Sequence, residues 1–131
     1  MALLGKLFGS SSDNTTTDSW KTLTDVGQLN DVKTESHDHP VVLFKHSTRC
    51  SISFSALSRL QRNWNTSELG NLELYYLDLI AHRDISSAIT DEFGIGHESP
   101  QIIVIKDGKA IYNNSHMGIN YEDIKELAKA H

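Results

Sequence analysis

Val41-Val42-Leu43-Phe44-Lys45-His46-Ser47-Thr48-Arg49-Cys50-Ser51-Ile52-Ser53 decides how the chain is read. A run of apolar, β-favouring residues ends at Lys45, and a polar loop leads into the only cysteine of the protein. Beyond it the apolar positions Phe54, Leu57, Leu60 and Trp64 follow helical spacing. The pattern therefore predicts a strand-to-helix junction with Cys50 at the helix N-terminus. There the first backbone N–H groups have no helical partner and the macrodipole is positive, and both favour a thiolate over a thiol.

A helix N-terminus contributes roughly 0.3–1 kcal/mol to a nearby anion when exposed and up to about 2 kcal/mol when partly buried. More must come from hydrogen bonds or cations. Ser53 stands three residues after the cysteine, so its hydroxyl is expected over the same helix face as a donor to the sulfur. Arg49 is adjacent, and Lys45 and His46 precede it closely. The competing reading of a lone cysteine is a small buried hydrophobe. The junction, the hydroxyls and the flanking cations favour a reactive thiol.

Working outward, the N-terminal segment is polar except for its first eight residues. Met1–Phe8 carries Leu3, Leu4, Leu7 and Phe8 around Lys6, a run too short and broken for a signal peptide or a membrane span. Gly9–Ser19 has no apolar residue. Residues 1–18 therefore read as a flexible tail, the first eight of them alternatively as a weak amphipathic anchor, and residues 19–131 as one folded domain.

Trp20–Leu23 reads as a short first strand, and Thr24 or Asp25 can cap a helix through Val26, Leu29 and Val32. His37 and His39, in the break closed by Pro40, lack the further ligands of a metal site, and no metal is expected. Leu72–Asp78 reads as the next strand. Asp84 can cap a helix through Ile85, Ala88, Ile89 and Phe93 that stops at Gly94. Pro100–Ile105 reads as a fourth strand. Asp107-Gly108 signals a hairpin into Lys109–Asn113, and a last helix spans Tyr121–Ala130. The order β-α-β-α-β-α-β-β-α calls for an α/β fold: a mixed five-stranded sheet with helices on both faces. In such sheets ligands bind beyond the carboxyl ends of the parallel strands, where Cys50 falls.

The 131 residues suit one domain with a proper core. A formal net charge of -5 argues against a nucleic-acid surface. One cysteine forbids an internal disulfide, and a reducing, cytoplasmic compartment is the simplest fit.

Three segments carry a resemblance: Phe44-Lys45-His46-Ser47-Thr48-Arg49-Cys50, His97-Glu98-Ser99-Pro100-Gln101 and Asn114-Ser115-His116. In this order, on this element pattern, the chain resembles the YtxJ-type monothiol bacilliredoxin-like proteins of the bacillithiol system, within the thioredoxin superfamily. The resemblance implies a thioredoxin-like fold and Cys50 as the active thiol. It implies a cis-proline at Pro100 facing that thiol, a Ser99 backbone offered to an extended substrate, and His116 at the same end of the molecule. It departs from the family pattern at Ser51, where the family has proline, and at Met117, where it has tryptophan.

Two functions follow. One is a monothiol thiol–disulfide oxidoreductase that removes a bacillithiol-like thiol from S-thiolated client proteins. Cys50 and Ser53 would do the chemistry, and Lys45, His46, Arg49, Ser99, Pro100 and His116 would bind substrate. It would need no cofactor beyond the small thiol as co-substrate. The other is a non-catalytic binding or redox-sensing module that holds a peptide by strand addition. A thiol peroxidase ranks below both.

Overall fold

The structure is a computed structural model that describes residues 20–131. The tail assigned to residues 1–18 lies outside the described residues. The strands are β1 (Lys21–Thr22), β2 (Val41–His46), β3 (Glu73–Asp78), β4 (Gln101–Lys106) and β5 (Lys109–Ser115). The helices are α1 (Gln28–Glu35), α2 (Ser51–Asn63), α3 (Arg83–Phe93) and α4 (Tyr121–Ala130). Strand order is β1-β3-β2-β4-β5. β1 and β2 run parallel to β3, while β4 is antiparallel to both β2 and β5. This is the expected mixed sheet.

All six residues of β2 are buried, as befits a central strand covered on both faces. Side chains alternate across a strand, so the two faces can be read by parity. Val41 and Leu43 join Tyr75, Leu77, Ile103 and Ile105 beneath α1 and α3. Val42 and Phe44 join Leu74, Ile102 and Val104 beneath α2 and α4. Each large aliphatic side chain buried this way contributes roughly 1.5–3 kcal/mol.

The helix boundaries differ from the sequence reading for local reasons. α1 begins at Gln28, not after Asp25, and Val26 is exposed. The Gln28 side chain accepts from the N–H groups of Thr24 and Asp25, and Asp25 accepts from Gly27 N–H. Those donors are satisfied by a turn that delays the helix. α3 begins beside His82 without a side-chain cap, and Asp84 lies in its first turn, where the dipole favours a carboxylate. Gly94 closes α3 in the left-handed region (φ 70°). Asp107 and Gly108, both at positive φ, close the β4–β5 hairpin as expected. Their N–H groups bond to the buried Ser36 carbonyl and hydroxyl, each at 2.8 Å, which ties the end of α1 to the hairpin. Among the described residues no helix is long and apolar enough to cross a membrane.

Candidate functional site

The sheet register brings four strand ends into one row. His46, the last residue of β2, pairs with Asp78, the last of β3, and its carbonyl accepts from Leu79 N–H. On the other side Lys45 pairs with Gln101, which sets Pro100 level with His46. The Pro100 carbonyl accepts from His116 N–H at 3.0 Å. The Ser99–Pro100 bond is cis, as the resemblance implied. The backbone of Ser99 makes no backbone hydrogen bond among the described residues, and its buried hydroxyl has no partner.

Cys50 is the N-cap residue of α2, half-buried, with an extended backbone. Its carbonyl accepts from Phe54 N–H at 3.2 Å, and its own N–H is held by the Ser47 carbonyl at 3.2 Å. No acidic residue occupies the first turn of this 13-residue helix, so nothing there offsets its positive end. Arg49 is exposed beside the thiol and makes no ion pair among the described residues.

The Ser53 hydroxyl, expected at the sulfur, is taken up elsewhere. It accepts from Ser47 N–H at 3.0 Å and lies 2.6 Å from His46 Nδ1. It braces the loop that presents Cys50 against the end of β2. α2 buries Ser53, Ala56 and Leu60, whereas Phe54 is about half exposed. Leu60 and Trp64 are buried as expected and Leu57 packs at the edge of the core, but in the first turns Ser53 and Ala56 take the inward positions and Phe54 leaves the face. Phe54 lays its ring edge on His46, with centroids 4.6 Å apart.

The expectation that Lys45 and His46 flank the thiol as substrate-binding cations is corrected by burial. His46 is fully buried between Phe44, Tyr76 and Phe54, and its Nε2 has no partner. Burial lowers its pKa, an effect that the Asp78 carboxylate only partly opposes, so the ring is neutral at pH 7. Lys45 points to the opposite face. It is fully buried, with Nζ 2.7 Å from His97 Nδ1. Burial lowers its pKa to about 8, against the pull of Glu98.

No local sequence pattern gives His97 a role, because its meeting with Lys45 spans 52 residues. The approach to Pro100 is also fixed by Gln101. Its side chain accepts from Glu98 N–H and donates to the Gly96 carbonyl. His116 sits at positive φ (53°) with Nε2 3.6 Å from Glu98 Oε1, bridging the segments that flank Pro100. Arg59 of α2 donates to the Ile119 carbonyl at 2.9 Å and steadies the His116–Gly118 turn. Met117 within it is 78% exposed, which leaves an apolar side chain in solvent on the thiol side of the molecule.

Comparison with known proteins agrees with this architecture. A family model described as monothiol bacilliredoxin BrxC matches residues 21–124, a span that contains every site residue named above. A solved structure described as a candidate oxidoreductase with a thioredoxin fold is 28% identical. The match covers 88% of this chain and 96% of that one, at a TM-score of 0.70. Thioredoxin of Fasciola hepatica matches at 17% identity over 85% of this chain and 98% of its own, with a TM-score of 0.64. Thioredoxin of Malassezia sympodialis matches at 20% identity over 86% and 90%, also at 0.64. These two show the fold alone.

Proposed function

The chain belongs to the monothiol bacilliredoxin family, and on that premise we propose that it removes bacillithiol from protein mixed disulfides through Cys50. Family and fold together make it a thiol oxidoreductase. The reading is supported above all by one placement: the sole cysteine caps α2 at the end of β2, while a serine fills the position three residues on.

The cycle balances in two exchanges. The Cys50 thiolate attacks the bacillithiol sulfur of a client mixed disulfide. A Cys50–bacillithiol disulfide forms, the client–bacillithiol bond breaks, and the client leaves as a thiolate. A second bacillithiol thiolate then attacks the bacillithiol sulfur on Cys50. It forms bacillithiol disulfide and returns the Cys50 thiolate. In net, one free small thiol is oxidised into bacillithiol disulfide and one client sulfur is reduced from mixed disulfide to thiolate. Because the second exchange consumes a free small thiol, the cycle suits a reducing, cytoplasmic compartment. Arg49 would attract the anionic ligand, and the unpaired Ser99 backbone would hold the client chain in extended form.

The test is intact-mass spectrometry after mixing with a defined bacillithiol–peptide disulfide. Wild type is expected to carry one bacillithiol adduct, and Cys50→Ser none. Ser53→Cys is expected to lose the adduct and form an internal disulfide. A wild type that never takes up the adduct would leave the non-catalytic module as the better description.

A further inference from the structure

α3 carries a polar stripe that the exchange chemistry does not use. Arg83, Ser86, Ser87, Thr90 and Asp91 are three and four residues apart and share one helix face. With Leu79 and His97 they line a cavity of about 300 Å³. The cavity lies at the thiol end of the sheet. Leu79 bonds through its N–H to the His46 carbonyl, and His97 leads into Ser99–Pro100.

Lys45 sets the chemistry of this cavity from behind. An ammonium has three N–H donors and no acceptor, so His97 Nδ1, 2.7 Å from Lys45 Nζ, must accept. The ring proton of neutral His97 is then on Nε2, the nitrogen on the side away from Lys45, and His97 is exposed. Ser86 Oγ, 3.5 Å from the same Nδ1, adds a hydroxyl to this corner. Lys45 itself has one hydrogen-bond partner among the described residues, and that partner is neutral. The Glu98 carboxylate compensates this buried ammonium only in part, since burial still lowers its pKa, and further negative charge nearby would relieve it. Arg83, at the first turn of α3, adds a guanidinium that suits a carboxylate in bidentate geometry. Asp91, two turns along, is the one acidic group of the lining. It repels a second strong anion there and accepts from hydroxyl or amine groups.

We propose that this cavity is a subsite for a carboxylate that also carries hydroxyl or amine donors. Arg83 and His97 Nε2–H take the carboxylate, and Asp91 takes the donors. It rests on the proposed function in one respect: the ligand would be the non-sulfur arm of the small thiol. The subsite would then select which mixed disulfides Cys50 opens.

Two measurements separate the subsite from the exchange reaction. In the first, free malate is titrated into the full-length protein and followed by amide NMR. Saturable shifts at Arg83, Ser86, Ser87, Thr90 and His97 are expected, and they are expected to vanish in Arg83→Gln. In the second, exchange is compared for a carboxylate-bearing and a neutral (mercaptoethanol) mixed disulfide. Arg83→Gln and His97→Gln are expected to raise KM for the first over the second by about tenfold, roughly 1.4 kcal/mol. Lys129→Gln, remote in the last turn of α4, serves as the charge control. Absence of malate shifts, or equal losses on both disulfides, overturns the subsite and leaves the exchange function standing. Malate binding without any exchange supports the subsite and overturns the exchange function.

Discussion

His46 Nδ1 and Ser53 Oγ stand 2.6 Å apart, joining the end of the central strand to the first turn of the helix that Cys50 caps. The same oxygen accepts from Ser47 N–H. The thiol loop is therefore pinned at its base by one hydroxyl, and the histidine that pins it is itself enclosed by aromatic rings.

Ser53→Ala is expected to cost about 1–3 kcal/mol for each buried polar group left unpaired, Ser47 N–H first among them. Urea unfolding measures it. The exchange rate should fall with it, because the loop that orients Cys50 loses its anchor. Unchanged stability would mean that the hydroxyl is not the brace.

His46 is expected to titrate below the ordinary histidine value of about 6.5, and the sign of the linkage follows. Below that pH the unfolded chain takes up a proton that folded His46 refuses. Stability therefore falls as pH drops from about 6.5 toward the folded value. Phe54→Ala opens the ring to water and should move the His46 midpoint upward in ring-proton NMR. An unmoved midpoint would show that Phe44 and Tyr76 alone keep it dry.

Lys45 makes the opposite end of the pH range informative. Its folded pKa of about 8 lies below the ordinary lysine value of about 10.4. Between those values the unfolded state holds the proton and the folded state does not, so stability from this group rises with pH. The difference in unfolding free energy between wild type and the similarly sized Lys45→Met should move in favour of wild type from pH 8 to 10. A flat difference would place the Lys45 proton elsewhere.

Gly94→Ala should cost about 1–2 kcal/mol, since φ of 70° penalises a Cβ while no atom lies near enough to clash. The loss is purely conformational, so Gly94→Asn should cost less in the same thermal melt.

Much of this was legible because the strong signals were local. The apolar runs at Val41–Phe44 and Ile102–Ile105, the Asp107-Gly108 turn and the glycine stop at Gly94 each act within a few residues, and each stands where it was read. The junction at Cys50 followed from them. What failed was exposure. The sequence places Lys45 and His46 beside the thiol as ligand-binding cations, whereas both are buried. Yet the parity of β2 assigns Lys45 to the face of Val41 and Leu43, and His46 to that of Val42 and Phe44. Extending the alternation two residues would have turned both inward. The partner of Lys45 carried no local signal at all, because only the folded sheet brings His97 to it. Phe54 lies outside the core because the small residues Ser53 and Ala56 take the inward positions of these turns, which apolar spacing alone does not show.

The central strand has neighbours that both come later in the chain. As residues emerge from the ribosome, β2 waits for β3 and then for β4. Until Lys106 is out, one edge of β2 offers unpaired backbone groups to any passing strand. The row that carries His46 and Pro100 is completed only when the last third of the chain arrives. A nascent or truncated chain that ends before Gln101 therefore presents Cys50 on an unfinished sheet. The thiol exists from early in synthesis, but the groove that disciplines it is among the last things made.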